Sequence, residues 1–162
     1  MDTDTAIVTE LNGLRRRVPD VTGSVLTGVD GLLITHDLAS AEAESIAALA
    51  AASVGLGRRF AMTAGHGDLR ETVIHGSRGQ VALYPVGDRA LLAVLAGPGT
   101  DPGLLHAHGR RAARSIGELL RSKPASNVAA PVPGLLDNHA PLAVRTPMAT
   151  LPYNPALPRR RF

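Results

Sequence analysis

The chain has 162 residues, 44% of them hydrophobic and 19% charged, with no Cys. That size suits one globular domain or a smaller one with an appendage, and the lack of Cys removes disulfides and thiolate metal sites. The formal charge of +3 is unevenly placed: residues 1–122 hold twelve Arg against thirteen Asp and Glu, whereas residues 123–162 hold Lys123, Arg145 and Arg159 to Arg161 against Asp137 alone.

Ile7, Leu11, Leu14 and Val18 recur at helical spacing, which predicts an amphipathic helix over Thr5–Val18, ended by Pro19. Val21–Thr27 reads as a strand and Gly28-Val-Asp-Gly31 as a tight turn. Leu32–Thr35 follows as a second strand. Asp37 to Ser40 supply helix-start residues, and Ala41–Phe60 reads as a long Ala-rich helix. Ile46, Leu49, Ser53, Leu56 and Phe60 form one face of it, and alanines leave the other sides small. One side of such a helix can lie on its own sheet, and the other then calls for a partner, most simply a second copy. Gly55 and Gly57 weaken its last turns.

Three strands are expected next, at Leu69–His75, Gln80–Val86 and Ala90–Ala96, joined by hairpin-length connections. Leu104–Arg121 returns to helical spacing, with Leu105, Ala112, Ile116 and Leu119 as its apolar stripe. Eight of the twelve Pro lie in the last forty residues, where no period survives, so residues 123–162 are expected to form a disordered tail after a domain of residues 1–122.

Few residues suggest chemistry. No run matches GxxxxGK[ST], and Gly97-Pro-Gly-Thr-Asp-Pro-Gly103 is a poor phosphate cradle because Pro98 and Pro102 lack backbone donors. His106 and His108 project about 200° apart on a helix, against the spacing that metal ligands need. His36, His66, His75 and His139 are scattered. Glu42 and Glu44 do not face one another, and Asp30 reads as a turn residue tolerating left-handed geometry. Neither a nucleophile elbow nor an SxxK motif is present. No catalytic residue, cofactor or metal is expected. An enzyme using a profilin-like or PAS-like pocket lacks the polar constellation that it would need.

The basic charge sits off the body and aromatics are scarce, so nucleic acid is not an expected partner. No apolar run approaches the roughly 18 residues that cross a bilayer, and the acidic N-terminus lacks the features of a secretory signal. A cytoplasmic location is expected, with recruitment to the membrane left to a partner. In the tail, Pro155-Ala-Leu-Pro158-Arg-Arg160 fits a PxxPx+ polyproline ligand, and Arg159 to Arg161 offer weak attraction to an anionic surface.

The order helix, two strands, helix, three strands, helix resembles the roadblock/dynein light chain family, especially its bacterial regulatory members. The resemblance spans residues 5–121. It rests on Leu14-Arg-Arg-Arg-Val-Pro-Asp-Val21, the Gly28-Val-Asp-Gly-Leu-Leu-Ile34 hairpin, the Ala-rich helix, and Arg89-Ala-Leu-Leu-Ala-Val-Leu-Ala96. It implies an α+β fold in which a five-stranded antiparallel sheet carries the second helix on one face and the terminal helices on the other. It further implies a homodimer through the second helices and third strands, here Ile46, Leu49, Ala50, Ala51, Ser53, Phe60 and Val73. Bacterial members similar to this chain work beside small Ras-like GTPases, some of them with a sensor histidine kinase. The expected role is a non-enzymatic regulator that biases a GTPase's nucleotide state, with Arg58, Arg59 and Arg70 as candidate partner-binding residues. The alternative is an adaptor for a sensor histidine kinase complex, without effect on GTP turnover. The Pro-rich tail departs from the minimal family pattern.

Overall fold

The computed structural model describes residues 2–39 and 42–122, so the readings made for residues 123–162 lie outside the described residues. The elements are α1 (Thr3–Arg17), β1 (Val21–Gly28), β2 (Leu33–His36), α2 (Ala43–Thr63), β3 (Thr72–Gly76), β4 (Gly79–Val86), β5 (Ala90–Ala96) and α3 (Pro102–Ser122). The strands make one antiparallel sheet in the order β2-β1-β5-β4-β3, which leaves β2 and β3 as edges.

Each face of the sheet has its own core. On one face Ile7, Leu11, Leu14 and Val18 from α1 meet Leu105, Ala112 and Ile116 from α3 over Leu26, Tyr84, Leu92 and Val94. On the other, Ala43, Ala47, Ala50 and Val54 of α2 press on Val25, Leu83, Leu91 and Ala93. β1, β4 and β5 therefore carry apolar residues on both sides, which is why Ala90–Ala96 is an unbroken apolar run.

The stripes of α1 and α3 fall where periodicity puts them. α2 lays its small side on the sheet, with Ile46 packed against that core and Leu49, Leu56 and Phe60 left exposed, and it differs from expectation at its two ends. Gly55 and Gly57 do not end it. Gly57 lets Leu69 and Thr72 pack close, and the helix runs on to Thr63. The stop is Gly65, at φ +71, where Gly65 N–H bonds Met62 O at 3.1 Å and His66 N–H bonds Ala61 O at 2.8 Å. These are the two bonds of a Schellman cap. The start also differs: Asp37 Oδ1 accepts the backbone N–H of Ser24 rather than capping α2.

The end of α1 is tied to the loop before α3. Gly97 N–H bonds Asp20 O at 2.8 Å, Gly99 N–H bonds Asp20 Oδ2 at 2.9 Å, and Thr100 Oγ1 donates to Pro19 O at 3.3 Å. Asp20 holds φ 65, the left-handed region that suits Asp better than most residues. Asp30 does not: Gly31 takes the positive φ in that turn, and Asp30 Oδ1 accepts the Leu32 N–H at 3.1 Å.

Candidate interaction surface on α2 and β3

α2 buries Ala43, Ala47, Ala50 and Val54, and most of its larger apolar residues point outward. Leu49, Leu56 and Phe60 are 67%, 64% and 75% exposed. Together with Ser53 they repeat at spacings of four, three and four, a single stripe on the solvent side. Beside it, Ile46, Leu49, Ala50 and Ser53 border an apolar groove of about 140 Å³ whose far wall is Ile74, Val81, Leu83 and Leu95. The outer edge of β3 has no strand partner among the described residues. An exposed apolar stripe, an apolar groove and an open strand edge thus adjoin one another.

The expected contact residues divide. Ile46, Leu49 and Ser53 lie at the groove, and Phe60 continues the stripe. Ala50 is only 3% exposed and Ala51 packs against the α2-side core, so both serve this chain's own fold before any partner. Val73, also in the expected set, lies on the other side of the strand from the groove. It pairs with Ala82, on the α1/α3 side, whereas Ile74 pairs with Val81 and reaches the groove. Strand alternation alone separates the two once β3 is known to start at Thr72.

The three arginines do not converge on one site. Arg58 lines a cleft of about 370 Å³ with Met62, Asp68, Leu69, Pro85, Gly87 and Asp88, while Arg59 and Arg70 are exposed.

A polar cluster has no counterpart among the sequence motifs. Glu71 takes two hydrogen bonds from Arg110, from Nε at 2.8 Å and from Nη2 at 2.7 Å, and lies 3.8 Å from His106 Nδ1. The Tyr84 hydroxyl donates to Leu105 O at 3.4 Å and stands 3.0 Å from His106 Nδ1. Arg110 holds the Glu71 carboxyl below the usual carboxylate range, and burial pushes the Tyr84 phenol above its usual value. The cluster pins the segment before β3 to α3. No sequence spacing signals it, because residues 71, 84, 106 and 110 meet only through the fold.

Elsewhere the chain's own carboxylates take the backbone donors that a phosphate would need. Asp20 holds Gly99, and Asp101 Oδ1 accepts the Leu104 N–H at 2.7 Å at the start of α3. Among the described residues no group of three His, Asp or Glu stands close enough to hold a metal ion, and no helix is long and apolar enough to cross a membrane.

Comparison with known proteins adds the family. The profile described as Roadblock/LC7 domain matches residues 7–96. The chain belongs to the Roadblock/LC7 family. Two uncharacterized proteins of Methanocaldococcus jannaschii, MJ1340 and MJ0310, are each 33% identical to it over 111 residues, 68% of this chain and 93% of theirs. Among solved structures, the Roadblock/LC7 domain from Streptomyces avermitilis superposes with a TM-score of 0.67 at 29% identity, covering 70% of this chain and 97% of that one. The gliding protein MglB of Thermus thermophilus shares the fold, with a TM-score of 0.68 at 20% identity over 74% of this chain and 91% of that one. The roadblock architecture expected from the order of elements is therefore the one observed.

Proposed function

We propose that this roadblock domain is a non-enzymatic homodimeric regulator that binds a small Ras-like GTPase in the bacterial cytoplasm and biases its nucleotide state. The observation that supports this reading is the exposed Leu49–Leu56–Phe60 stripe beside an apolar groove and the open edge of β3. A second copy meets all three needs at once. The stripes pair, the grooves are covered, and two β3 edges join into one longer sheet. The resemblance to bacterial GTPase-associated members supplies the partner class.

The proposed mechanism is geometric. A rigid dimer that fits one conformation of the GTPase switch loops better than the other shifts their population by its difference in affinity. Arg59 and Arg70, being exposed, are the arginines most available to a partner, and Arg58 is half-buried at its cleft.

The paired variant Leu49→Glu/Phe60→Glu tests the dimer. Both side chains are exposed in the single chain, so the variant should stay folded, melt somewhat lower for want of its partner and halve its mass by light scattering; an unchanged mass removes this interface. Affinity capture from native lysate, run with a GTP analogue and with GDP, tests the partner. A GTPase enriched in one nucleotide state supports the regulator. Recovery of a sensor kinase regardless of nucleotide, with no GTPase, makes the protein an adaptor instead.

A further inference from the structure

The charge of the described residues is unevenly divided along the chain. α1 and α3, which share one side, carry seven Arg against Asp4, Glu10 and Glu118, a balance of +4. Residues 18–101, which include α2 and all five strands, carry five Arg against nine Asp and Glu, a balance of −4. The excess of Arg thus lies on the two helices, with Asp20 and Asp101 at their joined ends and Glu71 paired with Arg110.

On α3 the positive charge is directed outward. Leu105, Gly109, Ala112 and Ile116 face the sheet, and the opposite stripe is Ala107, Arg111, Arg114, Glu118 and Arg121, all exposed. α1 adds exposed Arg15 and Arg16 in its last turn, at the end tied to the start of α3. Arg17 and Arg110 are engaged with Glu10 and Glu71. The same two helices expose Val8 at 39% and Leu104 at 44%.

We infer that the α1/α3 layer is a docking face for an anionic lipid bilayer. Five exposed Arg fall in the range of basic residues that draws a protein to acidic headgroups. Arg stems can lie along the acyl boundary while their guanidinium groups meet phosphate, and Val8 and Leu104 can enter that boundary. Nucleic acid offers the same phosphates but fits less well. Neither helix carries a Phe, Tyr or Trp for stacking, and Asn12 is their one side-chain amide for reading base edges. The face lies across the sheet from α2, so a domain held this way keeps its α2 stripe free. The inference is independent of the GTPase reading.

The test is co-sedimentation of the full chain with extruded vesicles of phosphatidylcholine, with and without phosphatidylglycerol, at low and high salt. The expected result is binding to the anionic vesicles alone, weakened by salt. Arg111→Glu/Arg114→Glu should lower the partition coefficient by about tenfold or more with no change in melting temperature. Arg16→Glu, on the other helix, should lower it less. Equal binding to both vesicle types overturns the inference, as does full binding by the α3 variant. Loss of binding on replacing Arg159 to Arg161 with Gln, with the α3 variant unaffected, assigns the attraction to the tail and also overturns it. Displacement of vesicles by duplex DNA at equal phosphate concentration would make the face a nucleic-acid surface.

Discussion

At the scale of single residues, Tyr84 and Glu71 carry the titration behaviour that the fold builds in. Tyr84 is buried under α3, and Gly109 is what permits this, since a Cβ there would collide with the ring. Burial favours the neutral phenol, so the folded pKa lies above the unfolded value of about 10. From about pH 10 upward the unfolded chain loses a proton that the folded chain keeps, and stability falls with pH. Tyr84→Phe should cost about 1 kcal/mol at neutral pH, for the hydrogen bond, and should flatten that alkaline loss in urea titrations taken at several pH values. Glu71 has the opposite sign of shift. Its folded pKa is lowered by Arg110, so its contribution is fully present above the unfolded carboxylate value and fades as pH falls through the folded one. The stability gap between wild type and Glu71→Gln should therefore be small at neutral pH, smaller in high salt, and gone in acid. A gap that widens in acid would contradict the pairing. Neither residue is conspicuous in the sequence. The stripes of α1 and α3 are legible because each repeats along one helix, whereas this cluster joins a loop, a strand and a helix.

At the scale of elements, α2 is the instructive one. A helix with small residues on one side and large ones on another can turn either side to its sheet, and periodicity alone does not choose between them. The sheet beneath it already supplies Val25, Leu83 and Leu91, so alanines bring the helix close and the larger residues are left outside. Two substitutions one residue apart separate the sides. Ala50→Glu puts a charge into the core and should cost about 4 kcal/mol or more, while Leu49→Glu leaves the core intact and should lower the melting temperature far less, by the loss of pairing alone. Equal effects would mean that the helix is turned otherwise. The end of α2 is hard to read for a related reason. Gly55 and Gly57 look like breakers, but Gly57 is spent on close packing and the cap is Gly65, whose role depends on a positive φ that no spacing reveals. Gly65→Ala should cost about 1 kcal/mol, measured by urea unfolding, whereas Gly55→Ala in the helix interior should stabilise by a similar amount.

At the scale of the whole domain, the three inner strands β1, β4 and β5 serve two cores at once. Val25 and Leu26, neighbours in β1, belong to opposite sides, as do Leu91 and Leu92 in β5. This continuity is legible in the unbroken apolar run of β5, whereas which helix covers which side follows from the family resemblance and not from the hydrophobic pattern. Sharing strands has an energetic consequence. A loss on either side weakens the same sheet, so the domain should unfold in one step and not side by side. Val54→Ala on the α2 side removes two methyl groups and should cost about 2 kcal/mol; Ile116→Ala on the α3 side should cost about 2–5 kcal/mol. The two side chains lie on opposite faces of the sheet and share no core, so the double variant should lose the sum of the two within about 0.5 kcal/mol. Each variant should show a single transition, with helix circular dichroism and native-state hydrogen exchange in β1 and β5 reporting the same free energy. If Val54→Ala released α2 at a lower urea concentration while β5 stayed protected, the α2 side would be a separate folding unit. The surface proposed for pairing would then be a local element that opens without the rest, and its partner would have to stabilise it on binding.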